Sequence, residues 1–125
     1  MIVLDASALI AFLLDEVGKE RVRDRLKGSC MSALNYSEVL SRFAKDGVDI
    51  QALGQMIRRS GIEIVPFAAK EALTAAELLI STAHLGLSLG DRACLALAQN
   101  RGLHALTADR IWTRLEVGIE IECIR

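Results

Sequence analysis

Five short apolar runs, each of strand length, recur along the chain and are separated by stretches of helix length. The runs are Met1–Leu4, Cys30–Ala33, Ile62–Phe67, Leu103–Leu106 and Ile119–Ile124, the second being the weakest. Strands that alternate with helices are joined by crossovers, and crossovers give parallel pairing with helices packed on the sheet. The expected fold is therefore α/β, with a mainly parallel sheet of four to five strands flanked by helices on both faces.

The intervening stretches carry their own boundaries. Ser7–Leu14 is apolar without alternation, as in a buried helix. Tyr36, Val39, Leu40 and Phe43 mark one face of a helix ending near Gly47. Asp49 is placed to cap a helix bearing Ile50, Leu53, Met56 and Ile57, with Gly61 as its stop. Ala68–Leu85 and Ser88–Asn100 read as longer helices, and Asp109–Leu115 as a short one. Glu16–Lys27 differs: Val17, Val22 and Leu26 are its only large apolar residues among five cations, so a solvated basic helix ended by Gly28 is expected.

A length of 125 residues with 52% hydrophobic content suits one domain spanning 1–125. Aromatic residues make up only 4%, so the core must be built from Leu, Ile, Val and Ala, the usual material of a sheet covered on both sides. Three widely spaced cysteines, Cys30, Cys94 and Cys123, argue against a disulfide framework or a zinc site and for reduced thiols. No basic stretch precedes the apolar start, Asp5 interrupts it, and no run reaches the length of a membrane span. A soluble, cytoplasmic chain with no membrane partner is expected.

Four acids fall at related places in this scheme. Asp5 directly follows the first strand, and Asp109 follows the fourth. Glu38 lies in the first turns of the helix after the second strand, and Asp91 opens the helix before the fourth. Ligands of open α/β sheets bind outside the carboxyl ends of the strands. That rule places Asp5 and Asp109 on one rim and lets Glu38 lean over it. It does not by itself place Asp91, whose helix leads into a strand rather than out of one.

Converging carboxylates need a counter-charge, and an all-oxygen set suits Mg²⁺ or Mn²⁺. Such an ion lowers the pKa of a bound water and stabilises a phosphodiester under in-line attack. Ser7 and Thr107 offer hydroxyls two residues from Asp5 and Asp109. The net charge of −1 looks unsuited to nucleic acid. Setting the four acids aside leaves 12 acidic residues against 15 basic ones, so the rest of the molecule is net +3. Each acid alone also has a structural alternative. Asp5 and Asp109 can cap the helices that follow them, Glu38 stands three residues after Asn35 as in a capping box, and Asp91 can sit on a helix dipole. Their joint placement near one edge of the sheet favours the chemical role.

The segments Asp5-Ala6-Ser7-Ala8-Leu9, Ser37-Glu38-Val39, Gly90-Asp91-Arg92-Ala93 and Thr107-Ala108-Asp109-Arg110-Ile111-Trp112 resemble, in order, the four motifs of PIN-domain nucleases, most closely the VapC-type toxins of bacterial toxin–antitoxin modules. The resemblance covers nearly the whole chain. It implies a PIN-like fold and a metal-dependent endoribonuclease that cleaves RNA phosphodiesters through a metal-activated water. Carried over residue by residue, it assigns catalysis to Asp5, Glu38, Asp91 and Asp109, with Ser7 and Thr107 as polar helpers. Asp5, Asp91 and Asp109 are then the ligands of Mg²⁺ or Mn²⁺. It further implies an RNA substrate, a homodimer and a small antitoxin protein as inhibitor. The apolar residues of Tyr36–Phe43 and Ile50–Ile57 suggest where copies meet.

Other readings fit less well. A phosphatase of the haloacid dehalogenase type needs a second Asp where Ser7 stands and a catalytic Lys that is absent after Lys70. A phosphoacceptor receiver domain also needs a late Lys. A catalytically silent PIN-like partner-binding module would not require four intact acids. His84 and His104 have no supporting motif for metal-free acid–base chemistry. Trp112 is expected to pack under its short helix, and Arg92 and Arg110, each following a site acid, are candidates for substrate or antitoxin contacts.

Overall fold

Successive residues of the first strand are buried on opposite faces of a sheet: Ile2 and Leu4 enter one core, Val3 the other. Met31 and Leu106 join the first core, while Cys30 and Ala105 join the second. This two-sided burial follows from the pleat and explains why the first strand is apolar throughout rather than alternating. The computed structural model describes residues 1–125. Its strands are β1 (Ile2–Leu4), β2 (Cys30–Ser32), β3 (Glu63–Val65), β4 (His104–Thr107) and β5 (Ile121–Cys123). They form one sheet in the order β3-β2-β1-β4-β5, every adjacent pair parallel.

Helices α1 (Ala6–Leu13), α2 (Lys19–Arg23), α3 (Ala33–Ala44) and α4 (Ile50–Arg59) cover one face through residues such as Leu9, Val22, Val39, Phe43, Leu53 and Ile57. Helices α5 (Ala69–Thr82) and α6 (Leu89–Arg101) cover the other. From Ala93 to Ala98 every residue of α6 is buried, so this helix is apolar all round where it crosses the sheet. Short 3-10 turns span Ala83–Leu85 and Arg110–Arg114, and Trp112 of the second is fully buried in the α5–α6 core, as expected. Cys30 and Cys94 are buried and Cys123 partly so, all as free thiols.

Two expectations are corrected. The basic stretch 16–27 is helical only over Lys19–Arg23. Gly18 enters it at φ 95°, and the cations are held by other groups: Lys19 by Asp15, Arg21 by the carbonyl of Cys123, Arg25 by Glu122. The helix expected through Leu85 breaks into a 3-10 turn after Thr82, whose hydroxyl bonds back to the carbonyl of Leu78. Of the apolar residues of α3 and α4, Val39, Phe43, Leu53 and Ile57 are buried, Tyr36 and Leu40 partly so, and Ile50 and Met56 remain exposed.

The chain runs β1-β2-β3 outward to one side and then returns to place β4 and β5 on the other. The order therefore reverses between β1 and β4, the topological switch point where open α/β sheets carry their sites. Asp5 ends β1, and Thr107 ends β4.

Candidate metal centre at the carboxyl rim of the sheet

Asp5 occupies the N-cap position of α1 but makes no capping hydrogen bond. Its carboxylate is 4% exposed and turns instead toward two hydroxyls. Ser7 Oγ donates to Asp5 Oδ2 at 2.6 Å, and Thr107 Oγ1 donates to the same oxygen at 2.9 Å. The hydroxyls are pinned in turn. Ser7 Oγ accepts the backbone N–H of Ala108 at 3.0 Å, and Thr107 Oγ1 accepts that of Asp109 at 3.0 Å. The capping alternative thus fails for Asp5, whose side chain joins β1 to β4 across the switch point.

Glu38 is reached from the other side of β1. Ser32, the last residue of β2, caps α3 by accepting the N–H of Leu34 at 3.2 Å. Asn35 is therefore not the cap that its spacing suggested. It is wholly buried, and its Nδ2 donates to Glu38 Oε1 at 2.8 Å and to the carbonyl of Gly90 at 2.9 Å. The second bond places Glu38 beside the start of α6. A helix that leads into a parallel strand runs antiparallel to the sheet, so its N-terminus returns to the carboxyl rim. That is why Asp91, which strand order alone did not place, belongs to this edge.

Two of the structural alternatives do hold, that of Asp91 as the N3 acid of a capping box and that of Asp109 as a cap. Asp91 and Ser88 form a reciprocal box, with Ser88 N–H to Asp91 Oδ2 at 2.9 Å and Asp91 N–H to Ser88 Oγ at 3.1 Å. Asp109 Oδ1 accepts the N–H of Ile111 at 3.0 Å and is exposed. Along the rim the order is Glu38 after β2, Asp5 after β1 and Asp109 after β4, with Asp91 entering from α6.

The electrostatics concentrate on Asp5. Burial pushes its carboxyl up to about 6 from the ordinary 3.8, against the downward pull of the Ser7 and Thr107 hydrogen bonds. The negative charges of Asp91 and Glu38 raise it further. None of the four rim acids enters an ion pair with Lys, Arg or His; all eight ion pairs lie elsewhere. A hard divalent cation suits this all-carboxylate donor set, since the charges of Asp91 and Glu38 bear on Asp5 and no basic side chain neutralises them. As the side chains stand, no three carboxylate, imidazole or thiolate groups are close enough to grip one ion together.

The residues weighed and set aside sort themselves plainly. Arg92 points away from the rim, Nη1 donating to the carbonyl of Ala75 at 2.8 Å with Nε buried and unpartnered. Arg110 Nε donates to the carbonyl of Arg125 at 3.0 Å. Arg92 is thereby committed to α5, whereas Arg110 remains exposed. His104 lies at the opposite end of β4, exposed between Glu120 and Glu122, and His84 is exposed. The contact of Asn35 with Glu38 and Gly90 is not distinguished by the sequence, where an Asn and a Glu three apart in the first turns of a helix fit a cap equally well.

Next to Glu38, α3 presents a trough of about 420 Å³ lined by Leu34, Ser37, Glu38, Ser41, Arg42 and Lys45. On the far side of the same layer, Leu9, Phe12, Leu13, Leu26, Met56, Ile57 and Ser60 line an apolar groove of about 190 Å³ between α1 and α4.

No curated protein sequence matches the chain significantly. Solved structures match it nearly end to end. A toxin–antitoxin complex from Klebsiella pneumoniae superposes with a TM-score of 0.78 at 19% identity, covering 100% of this chain and 98% of that one. A DNA-bound VapBC from Salmonella typhimurium gives 0.71 at 18%, covering 99% and 98%. VapC20 of Mycobacterium tuberculosis, described as a sarcin–ricin loop cleaving toxin, gives 0.76 at 16%, covering 96% and 99%. At these identities the likeness establishes the fold. The family model of the PIN domain matches residues 2–118, and the chain belongs to the PIN domain family.

Proposed function

We propose that this chain is a Mg²⁺- or Mn²⁺-dependent endoribonuclease and the toxin of a toxin–antitoxin pair. The observation that carries the proposal is the set of unneutralised acids at the switch point, with Asp5 buried and its carboxyl raised to about 6. Asp5, Asp91 and Asp109 would hold the ion, and Glu38 completes the acidic rim. When bound, a divalent cation supplies an acidified water and charge stabilisation at the scissile phosphate. The chain's own residues do the positioning. Ser7 and Thr107 fix one carboxylate oxygen of Asp5, and the capping box fixes one of Asp91. Lys45, two turns beyond Glu38, offers positive charge in the α3 trough where neighbouring phosphates of an RNA strand would pass, beside Arg42, which is paired with Asp46.

The partners follow from the same family. Relatives of this fold are described as toxin–antitoxin complexes, which supports a small antitoxin protein as inhibitor. The apolar groove between α1 and α4 suits an apolar helix from such a partner. For a homodimer, the most exposed apolar surface lies on α5, where Leu73, Leu79 and Ile80 are open, with Ile50 and Met56 of α4 also exposed. No helix is long and apolar enough to cross a membrane; a cytoplasmic setting is proposed on the toxin reading. The test is cleavage of RNA by the wild-type chain and the Asp5→Asn and Asp91→Asn variants, with Mn²⁺ and with excess EDTA. Cleavage that persists in EDTA overturns the proposal.

A further inference from the structure

We infer that Asn35 is a positioning residue that, with Gly90, latches the Glu38 carboxylate against the N-terminus of α6 and so fixes it beside Asp91. The inference rests on the metal-dependent reading above and adds a residue that no motif of the resemblance includes. Asn35 is wholly buried, and both of its amide hydrogens are spent: one on Glu38 Oε1 at 2.8 Å, the other on the Gly90 carbonyl at 2.9 Å. Glu38 itself is an exposed side chain with several rotatable bonds. Left alone, it would wander over the trough. The two bonds from one amide tie it to a helix that packs on the opposite face of the sheet.

Gly90 is the other half of the latch. A Cβ at this position would collide with Glu38 Cδ and both carboxylate oxygens. The backbone of Gly90 is ordinary in φ, so conformational freedom is not the reason for glycine here. Room for a carboxylate is. Asp91 follows at the next position, held in its own box with Ser88. Asn35 thereby acts on Glu38, and Gly90 on the space that Glu38 fills, without either touching an ion.

Two variants separate this role from simple support of the fold. Asn35→Ala frees Glu38 and also removes two buried hydrogen bonds. Gly90→Ala displaces Glu38 while adding a better helix former to α6. Mn²⁺ binding to the full chain is read by electron paramagnetic resonance, and thermal stability is read in EDTA. The latch turns Glu38 toward the ion as a further carboxylate beside the three aspartates. Outer-shell partners of such ligands typically contribute roughly 10- to 100-fold in affinity, and a loss of that order is expected in both variants. Gly90→Ala should show it without a lower Tm. Adding Glu38→Gln to either variant should weaken binding no further, because the singles already remove the same interaction. Unchanged Mn²⁺ affinity in Gly90→Ala, or losses that add to that of Glu38→Gln, would overturn the latch. A wild-type chain that binds no Mn²⁺ overturns the underlying reading and the latch's purpose together. The side-chain amide of Asn35, followed by NMR in the metal-free protein, then still decides the geometry: slow exchange that Glu38→Gln accelerates supports it, and fast exchange in the wild type overturns it.

Discussion

Thr107 and Asp5, 102 positions apart in sequence, are joined by a 2.9 Å hydrogen bond from the threonine hydroxyl to Asp5 Oδ2. The bond closes the gap between the two strands at which the sheet reverses its order. It also supplies one of only two donors to a carboxylate that burial would otherwise keep protonated.

Thr107→Val keeps the shape of the side chain and removes that donor. The charged form of Asp5 then loses a stabilising partner, so its carboxyl should rise above about 6. The acidic limb of the pH–rate profile for Mn²⁺-supported RNA cleavage should move to higher pH. Stability at pH 8 in EDTA should fall by about 1.5–3 kcal/mol, the usual range for a hydrogen bond to a charged group. A profile that does not move would show that Asp5 is not the group whose ionisation limits the reaction.

Asp5→Asn should stabilise the metal-free protein at neutral pH. The folded carboxyl titrates at about 6 and the unfolded one at 3.8. Between these values the native chain binds more protons than the unfolded chain, so wild-type stability declines as pH rises through the window. At pH 8 in EDTA the Asn variant should gain on the order of 2–3 kcal/mol over wild type, and the gain should vanish below about pH 4. Added Mn²⁺ should stabilise the wild type and leave the variant unchanged. Chemical denaturation at pH 4 and pH 8 checks both signs; equal stability of the two proteins at pH 8 would contradict them.

The fold was legible because two-sided burial writes strands as continuous apolar runs and helices as longer periodic ones. Element types survived, and boundaries moved where side chains found partners that sequence does not show, as Arg21 and Arg25 did on β5. Asp5, Ser7 and Thr107 were legible from position alone, since strand ends in a parallel sheet share a rim. Asp91 followed only from the direction of its helix. Asn35 is not legible, because an Asn three residues before a Glu looks the same whether it caps the backbone or holds the carboxylate. Only its burial distinguishes the two.

An antitoxin helix seated between α1 and α4 would cover Met56, which is 53% exposed at the edge of the apolar groove. Met56→Glu should weaken binding of the antitoxin at least tenfold, a cost of about 1.4 kcal/mol or more, and leave RNA cleavage intact. If the partner also reaches the rim with an Arg, inhibition should compete with Mg²⁺ and weaken in salt. Asp5→Asn or Asp109→Asn should then weaken binding without abolishing it. Titration of inhibitor against cleavage at several Mg²⁺ concentrations measures this; inhibition indifferent to both metal and Met56→Glu would exclude the groove and the plug together.

Ile80 is 85% exposed on α5, with Leu73 and Leu79 nearby on the same helix. A homodimer formed there should be disrupted by Ile80→Asp, which places a charge in the apolar contact. Light scattering at micromolar concentration should give a dimer mass for the wild type and a monomer mass for the variant. A wild-type monomer would contradict the proposed assembly and leave the site unaffected.

The most direct measurement is single-turnover cleavage of total cellular RNA by the wild-type chain and by Asp5→Asn and Asp91→Asn, each with Mn²⁺ and with excess EDTA. Expected is discrete cleavage by the wild type with Mn²⁺, none in EDTA, and rates lower by at least about 100-fold, or roughly 2.7 kcal/mol of barrier, in both folded variants. Full cleavage in EDTA, or by both Asn variants, would show that the acidic rim does not carry the chemistry.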